Sequence, residues 1–201
     1  METLIVPPSG SETGGKLPLP IATPRLSLRP IRPEDLADWL EYVTDEESYR
    51  HTSQYAPNAE EAGSWLENGQ TVRLTQPNGR LTLGIELQND ARMIGHLTLN
   101  LTDPEEHVQG SFNIMIHPAH RRQGYGTEAV LGLLGFGFDG IALHDIRVSI
   151  DIRNLAGRRM VEKAGLKLEG EFVEQWRLKG EWSSTAYYVM LAKWWRAATS
   201  L

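Results

Sequence analysis

The sequence contains no cysteine. That absence excludes disulfide bonds, thiolate nucleophiles and zinc sites built on cysteine thiolates. The chain also lacks any apolar run close to the roughly 20 residues that a membrane-spanning helix needs. Its first residues, METLIVPP, have neither the basic start nor the long apolar core of a signal peptide. We therefore expect a cytoplasmic protein that has no membrane partner.

Positive charge is scarce as well. The 20 Lys and Arg residues are outnumbered by 26 Asp and Glu residues, which gives a formal net charge of −6. A general nucleic-acid-binding protein needs a basic surface for its phosphate contacts, so nucleic acid is not an expected partner. A mildly acidic surface is compatible with a cationic substrate such as an amine. Hydrophobic residues make up 40% of the 201 residues, which is enough for one packed domain.

Composition and hydrophobic periodicity divide the chain into a domain and two tails. Residues 1–22 are rich in Pro, Gly, Ser and Thr and are predicted to form a flexible tail, followed by a domain at 23–195 and a second tail at 196–201. In chain order we predict a strand at 25–30, a helix from residue 33, a helix at 58–74, strands at 80–88, 92–101 and 108–117, a helix at 124–138, a strand at 146–152, a helix at 155–164, and two strands within 167–193 that turn at 179–180. Turns are predicted at Asn89-Asp90 and Asp103-Pro104. Antiparallel hairpins and a β-α-β crossover predict an α/β or α+β sheet sandwich.

One turn has the composition of an anion-binding site. Residues 121–126, Arg-Arg-Gln-Gly-Tyr-Gly, lie between an apolar strand and an apolar helix. A glycine-bearing turn at the start of a helix exposes backbone N–H groups that bind phosphate oxygens. The spacing alone leaves a second interpretation open, a basic surface loop that caps a helix. It is neither a P-loop, because no Gly-Lys-Ser/Thr follows, nor a dinucleotide G-x-G-x-x-G motif.

Three sequence blocks together resemble one family. The pattern Arg/Gln-x-x-Gly-x-Gly/Ala, preceded by His117-Pro118 and followed by Thr-Glu-Ala, is similar to the coenzyme A pyrophosphate loop of the GNAT acetyltransferases. Residues 151–166, DIRNLAGRRMVEKAGL, resemble the family's Asn-x-x-Ser/Ala … Lys-x-Gly-Phe block. Residues 23–30, TPRLSLRP, resemble the first strand of the branch that acetylates the N-termini of ribosomal proteins. The resemblance spans roughly residues 22–195, and the blocks follow the family's order.

The resemblance implies both a fold and a reaction. The fold would be a mixed, mostly antiparallel sheet of about seven strands flanked by about four helices. The reaction would move an acetyl group from acetyl-CoA, used as co-substrate without a metal, to a primary amine that attacks the thioester directly. The amine would belong to a protein N-terminus or to a small molecule. The same blocks are compatible with a coenzyme A-binding module that has weak or no catalysis and acts as a sensor or scaffold.

The resemblance also implies a donor site. Its members would be Ile114, Met115, Ile116, Arg121, Arg122, Gln123, Gly124, Tyr125, Gly126, Thr127, Asn154 and Arg158. Backbone amides of residues 122–127 would hold the pyrophosphate, and the strand backbone would pair with the pantetheine arm. Arg158 would reach the 3′-phosphate or the pyrophosphate. Asn154 would bind the pantetheine arm or an ordered water, cap the following helix, or do both.

The acid and base that family members often use are missing. Ser111 stands at the position of the Glu base and Val161 at that of the Tyr acid. The catalytic candidates are therefore Ser111, His96, Asn154 and Tyr187, with Glu86 on a strand next to that of His96. His96 has the residue type of a base but also fits a buried core position, and Tyr187 also fits a packing role. An α-amine, with a pKa of about 7.7–8.0, needs a base less than a Lys amine of pKa about 10.4 does. A site without a strong base thus favours a peptide N-terminus or a small amine of low pKa.

The tryptophans and the acceptor side complete the expectations. Trp39, Trp65, Trp176 and Trp182 are predicted to lie in the core or to form walls of the acceptor cleft. The pair at 194–195 is predicted to pack back on the sheet or to form a homodimer interface. The acceptor pocket is expected between the helix at 33–46, the loop at 47–60 and the last pair of strands.

Overall fold

A single mixed sheet organises the protein. The computed structural model describes residues 17–71, 74, 79–101 and 109–199. In that part of the chain the strands are β1 (Ile21–Ala22), β2 (Leu26–Pro30), β3 (Arg80–Leu87), β4 (Met93–Leu101), β5 (Gln109–Ile116), β6 (Asp145–Asp151), β7 (Lys167–Leu178) and β8 (Glu181–Leu191). The α-helices are α1 (Leu36–Val43), α2 (Ala59–Gly69), α3 (Tyr125–Gly135), α4 (Leu155–Lys163) and α5 (Ala192–Thr199).

The strand order is β1-β2-β3-β4-β5-β6-β8-β7, and every neighbouring pair is antiparallel except β5 and β6. The predicted fold class is confirmed, with eight strands and five α-helices where about seven and four were expected. The prediction did not include β1 and α5. β1 has only two residues, too few to show a periodicity, and α5 lies where the sequence indicated the end of a strand and a tail. The predicted turn at Asp103-Pro104 lies outside the described residues.

Packing on both faces of the sheet follows from the alternation of apolar side chains along the strands. Leu26 and Leu28 of β2 are fully buried in the larger cluster, which also contains the apolar side of α3. The smaller cluster joins α1 and α2 to the other face of the sheet. Its buried members are Ile31, Trp39, Tyr42, Val43, Ala62, Leu66 and Met93.

A buried charge network fixes the start of α1 on the sheet. The Arg29 guanidinium on β2 donates two hydrogen bonds to the Asp35 carboxylate, at 2.8 and 2.7 Å, and a third to Glu86 on β3 at 2.5 Å. The side chains of Arg29 and Asp35 are only 6% and 7% exposed. The Glu86 carboxylate is therefore paired with an arginine and is not free to act as a catalytic base.

The parallel pair β5–β6 separates soon after it forms. Among the described residues, three residue pairs join these strands, from Gln109↔Asp145 to Ser111↔Arg147. β5 then remains paired with β4 as far as Ile116, and β6 remains paired with β8 as far as Asp151. The facing edges of β5 and β6 thus diverge and leave unpaired backbone groups on both sides of a gap.

The tryptophans divide between the core and the surface. Trp39 is buried, and Trp195 packs on Phe138 with its indole N–H donating to Asp139 at 2.9 Å. The tryptophan pair at 194–195 thus packs back on the domain, which is one of the two roles predicted for it. The prediction was wrong for Trp176 and Trp182, which are 55% and 59% exposed. They lie where the β7–β8 hairpin extends past the end of β6, so that no third strand covers them.

Candidate functional site

A cleft of about 1590 Å³ opens where β5 and β6 diverge. Its floor is formed by residues of β3, β4, β5 and β6, including Ile114, Met115 and Ile116 on β5. One end is bounded by the turn at 121–127 and by α4. The other end is bounded by the connection between α1 and α2, with Trp39 and Trp65 in its wall. The structure thus brings ten of the twelve predicted donor residues to one cavity with Trp39 and the α1–α2 connection of the predicted acceptor region. Gln123 and Arg158 do not border this cavity, and neither do the described residues of β7 and β8.

The turn at the first end has the backbone geometry of an anion site. Arg122 and Gly124 both adopt a positive φ, of 61° and 86°. The first α-helical hydrogen bond of α3 runs from Glu128 N–H to the Gly124 carbonyl at 3.0 Å. Helix geometry therefore leaves the N–H groups of Tyr125, Gly126 and Thr127 without an intrahelical acceptor. These donors lie at the positive end of the α3 dipole and border the cleft.

The two glycines of the turn serve different purposes. A Cβ on Gly126 would lie 2.7 Å from the Met160 sulfur, so this glycine is needed where α3 packs closely on α4. A Cβ on Gly124 would meet only the end of the Arg25 side chain, at 3.3 Å, but the φ of 86° is one that L-residues rarely adopt. The sequence prediction gave both glycines the same role, close approach of the ligand.

Arg25, at the start of β2, anchors the turn from outside. Its Nε donates to Glu128 Oε2 at 2.6 Å, and one terminal nitrogen donates to the Gln123 carbonyl at 3.1 Å. The guanidinium also lies over the Tyr125 ring, 4.4 Å from its centroid. Thr23 donates its hydroxyl to the same Glu128 carboxylate at 2.7 Å. Sequence reasoning missed this anchor, although Thr23 and Arg25 stood in one recognised block and Glu128 beside another.

The arginines predicted to bind phosphate are not equivalent. Arg121 donates to the Ile116 carbonyl at 2.9 Å and to the Ser48 hydroxyl at 2.6 Å, so it braces the turn against β5 and the α1–α2 connection. Arg158 donates to the Tyr188 hydroxyl at 2.9 Å and to Glu171 at 2.7 Å. Both hydrogen-bond partners of Arg158 lie on the last two strands, so its guanidinium does not point into the cleft. Among the residues that border the cleft, the positive charges of Arg122, Arg159 and Lys163 have no ion-pair partner in the described chain.

Asn154 is the N-cap of α4 and also borders the cleft. Its side-chain oxygen accepts a hydrogen bond from the Gly157 N–H at 2.9 Å. The capping role that the sequence allowed is therefore present. Because Asn154 also borders the cleft, its second predicted role, contact with the donor, is geometrically possible.

Comparison with known proteins agrees with this architecture. Residues 25–167 match the acetyltransferase (GNAT) domain family. The chain belongs to the GNAT acetyltransferase family. It is 23% identical over 175 residues to an uncharacterised N-acetyltransferase of Bacillus subtilis, YnaD, covering 87% of this chain and 98% of that protein. A solved GNAT acetyltransferase from Bacillus anthracis shares the fold with a TM-score of 0.77 and 21% identity, covering 86% of this chain and 98% of the other.

A third relative was solved with ligands. The spermidine N-acetyltransferase of Vibrio cholerae, in complex with coenzyme A and spermine, matches with a TM-score of 0.70 and 19% identity. The match covers 84% of this chain and 96% of that one. The GNAT chain described here is accordingly an acetyl-CoA-dependent N-acetyltransferase.

His96 is the one predicted catalytic side chain that stands inside the acetyltransferase cleft on the acceptor side. Its ring lies 4.6 Å from the Trp39 ring, and its Nδ1 is 3.1 Å from the Tyr42 hydroxyl oxygen. Burial at the bottom of the cleft, and next the positive charge of Arg80, lower the pKa of His96 to about 4. A histidine with that pKa is neutral at physiological pH and is a weaker base than the ordinary imidazole.

The other two catalytic candidates lie beside the cleft. Ser111 pairs with Asn100 and Arg147 at the last point where β5 and β6 are joined, and the cleft lining begins only at the next residue. Tyr187 packs against Phe172, with a ring separation of 5.1 Å, and accepts a hydrogen bond from the Gln175 amide at 3.1 Å. Neither side chain borders the cavity in the described part of the chain.

Two carboxylates border the cleft, and both have cationic partners. Burial raises the pKa of Asp151, but hydrogen bonds from Arg153 and Ser183 outweigh it and lower that pKa to about 2. Glu47 pairs with Arg50 at 2.9 Å at the exposed mouth. The described residues contain no cluster of three or more His, Asp or Glu side chains that could hold a metal, and none of their helices has the length and apolarity to span a membrane.

The acceptor side is closed by a contact between distant parts of the chain. Lys179, in the turn between β7 and β8, donates to the Tyr49 carbonyl at 2.9 Å. Its ammonium also lies 4.9 Å from the centroid of the Tyr55 ring. The hairpin tip thus contacts the α1–α2 connection, but no described residue of β7 or β8 lines the cleft.

Loss of the Arg25 anchor tests whether the turn must be held in place. We expect Arg25→Met to raise the Kd for coenzyme A about 5- to 10-fold, the net scale of one ordinary hydrogen bond. Arg177→Met is the matched control, since Arg177 also donates to a backbone carbonyl but lies away from the cleft. Isothermal calorimetry would measure both. Equal Kd values for the two variants would show that the turn keeps its shape without Arg25.

Proposed function

We propose that this acetyltransferase transfers the acetyl group to an α-amine of low pKa, such as a peptide N-terminus or an aminoacyl amide. The observation that carries the proposal is the acceptor side of the cleft, where the side chain best placed to take a proton is the neutral, weakly basic His96. The resemblance of residues 23–30 to the ribosomal-protein N-terminal branch supports the same class of acceptor.

The donor half of the proposal uses backbone groups. The unpaired edge of β5 at Ile114–Ile116 would receive the pantetheine arm as an added strand does, through main-chain hydrogen bonds. The N–H groups at the start of α3 would hold the pyrophosphate. The charges of Arg122, Arg159 and Lys163 would attract the phosphates, in place of Arg158. Asn154 would contact the pantetheine arm while it caps α4.

The acceptor half follows from proton chemistry. The attacking amine must be neutral, and its bond to the thioester carbon turns the carbonyl into a tetrahedral oxyanion. When the oxyanion collapses, the thiolate leaves with the electron pair of the broken C–S bond, and the proton that the amine nitrogen loses ends on the thiol. At pH 7 an α-amine is neutral for about a tenth of the time, whereas a Lys side chain is neutral for about one part in 2500. Because no unpaired carboxylate borders the described cleft, the enzyme depends on amines that arrive neutral. A polyamine, with several charged amines of high pKa, is the less favoured acceptor.

Rates of thiol release from acetyl-CoA with two acceptors test this proposal. Alaninamide offers an α-amine, and Nα-acetyl-lysinamide offers a side-chain amine on a molecule of similar size. We expect kcat/KM to be at least about 100-fold higher for alaninamide at pH 7, following the neutral fractions. The alaninamide rate should rise about tenfold from pH 6 to pH 7 and level off above about pH 8.

Two outcomes would contradict the proposal. A preference for the lysine amine, or for spermidine, would show that the cleft supplies a base or an acidic site that deprotonates and binds high-pKa amines. Tight binding of coenzyme A without turnover of any amine would instead favour the sensor or scaffold alternative.

A further inference from the structure

His96 has a defined hydrogen-bond partner on one ring nitrogen and none among the described residues on the other. The Tyr42 hydroxyl lies 3.1 Å from Nδ1. Tyr42 is fully buried between α1 and the sheet. No hydrogen bond joins Nε2 to any residue that the structure describes. Among the described residues, the one fully buried side-chain nitrogen or oxygen that lacks a hydrogen-bond partner is Nδ1 of His51. Nε2 of His96 also lacks a partner but is not fully buried, so it is accessible from the cleft.

The buried phenol determines where the imidazole proton sits. The O–H of Tyr42 must donate to an acceptor, and Nδ1 of His96 is the one the described structure supplies. A proton on Nδ1 would leave this buried hydroxyl hydrogen without an acceptor, which is a costly arrangement. Protonation of the whole ring would have the same effect. The neutral ring with its hydrogen on Nε2 satisfies both groups.

We propose that Tyr42 holds His96 as a neutral ring with its proton on Nε2, so that His96 presents a permanent hydrogen-bond donor to the acceptor and selects amines that carry a carbonyl oxygen beside the nitrogen. This inference rests on the proposed transfer to an α-amine. It names the carbonyl oxygen beside the nitrogen as the feature of that substrate which the cleft recognises. In it, Tyr42 is a positioning residue, and His96 is a binding residue and not the base.

The neighbours of the ring agree with a donor role. The Trp39 ring packs against the His96 ring, with centroids 4.6 Å apart and planes tilted by 40°, and limits its rotation. The titratable or charged groups that face the ring are Tyr42 from α1 and Arg80 from β3. Arg80 lies on the same face of the sheet, four positions along β3 from the partner of His96, and has no ion-pair or hydrogen-bond partner in the described chain. This floor therefore offers N–H donors, which suit a carbonyl or carboxylate oxygen and not an alkyl polyamine.

Nitrogen NMR of the histidine rings tests the tautomer directly. In protein labelled with ¹⁵N-histidine, the His96 signals are identified by their loss in His96→Gln. We expect the Nε2–H pattern, unchanged from pH 8 to about pH 5, and a mixture of tautomers in Tyr42→Phe. An Nδ1–H pattern in the unmodified protein, or a ring that titrates near its ordinary value of about 6.5, would overturn the proposal.

Kinetics separate a donor from a base. The Gln side chain carries an amide N–H near the position of Nε2 but cannot take a proton at neutral pH, whereas Leu can do neither. We expect His96→Gln to keep kcat/KM for alaninamide within about 3-fold, and His96→Leu to lower it about 10- to 100-fold, as loss of one hydrogen bond to a buried group does. Equal losses of about 10²-fold or more in both variants would assign His96 as the base and reject the proposal.

A second acceptor shows what the donor reads. Propargylamine has a lowered amine pKa but no oxygen, so its transfer cannot use a hydrogen bond from His96. We expect the ratio of kcat/KM for alaninamide to that for propargylamine to fall at least about tenfold in His96→Leu and to be retained in His96→Gln. An unchanged ratio in His96→Leu would reject carbonyl recognition. If the unmodified enzyme acetylates neither amine, the proposed α-amine function fails, while the NMR result still decides the state of His96.

Discussion

Gly124→Glu is expected to abolish measurable binding of acetyl-CoA, with a loss of at least about 100-fold in affinity. Two effects add. The φ of 86° at Gly124 is costly for a residue with a Cβ, by roughly 1–2 kcal/mol, so the turn would shift away from its present shape. A carboxylate at the start of α3 would also lie beside the N–H groups that we propose as the pyrophosphate site, and like charges at about 4 Å repel strongly when partly shielded from water. Calorimetry with coenzyme A measures the loss.

The control for this variant is another glycine with the same backbone strain. Gly180 in the β7–β8 turn has a φ of 91°, with open space around it, and lies outside the cleft lining. Gly180→Glu should leave the affinity for coenzyme A within about 2-fold, although both variants lose stability through the same strained geometry. Gly124→Ala adds strain without charge, so its affinity for coenzyme A should lie between those of the two Glu variants. An unchanged affinity in Gly124→Glu would show that the turn does not bind the phosphates.

The sequence predicted the sheet well because its strands carry regular patterns. β3, β4 and β5 differ from their predicted bounds by at most one residue at each end that the structure describes, since alternating or continuous apolar runs bounded by polar turns leave few other choices. Of the two elements that were missed, β1 is too short for such a pattern, and α5 follows β8 directly, with no polar turn between them. β1 is ordered by pairing with β2, a contact between positions in the chain that periodicity does not reveal. The exposure of Trp176 and Trp182 likewise depends on where β6 ends, not on the hairpin's own sequence.

For the site, the sequence located the backbone features and could not assign the side chains. The turn at 121–126 was found because glycine spacing and helix position are local properties. The direction of Arg158 was not predictable, since it depends on Tyr188 and Glu171, which come together only through packing. The same holds for Arg25, whose partner Glu128 is more than 100 residues away in the chain. The tautomer that we propose for His96 depends on Tyr42, a residue on another element whose sequence context gave no indication of a functional role.

Asp35→Asn is expected to destabilise the protein by about 3 kcal/mol, the cost of removing one partner from a buried ion pair. The change keeps the shape of the side chain but leaves the Arg29 guanidinium, 6% exposed, with Glu86 as its one remaining carboxylate. It also weakens the link between the sheet and α1, which places Trp39 in the cleft wall and Tyr42 beside His96. Chemical denaturation at pH 7 would measure the difference in the free energy of unfolding.

The pH dependence and a matched control make this expectation specific. Burial raises the pKa of Asp35, but hydrogen bonds from Arg29 and from the Arg32 backbone outweigh it, so the pKa in the folded state is lowered. The contribution of Asp35 is therefore complete above the pKa of the unfolded chain, about 3.9, and is lost as the pH falls through the folded-state value. The difference between the unmodified protein and Asp35→Asn should stay constant from pH 8 to pH 5 and shrink below about pH 4. Glu47→Gln removes a carboxylate from the pair with Arg50, whose side chains are 65% and 64% exposed, and should change stability by less than about 0.5 kcal/mol. If Asp35→Asn were as mild as Glu47→Gln, the buried network would not be what holds α1 on the sheet, and the orientation of Tyr42 toward His96 would have to come from the apolar contacts of α1 alone.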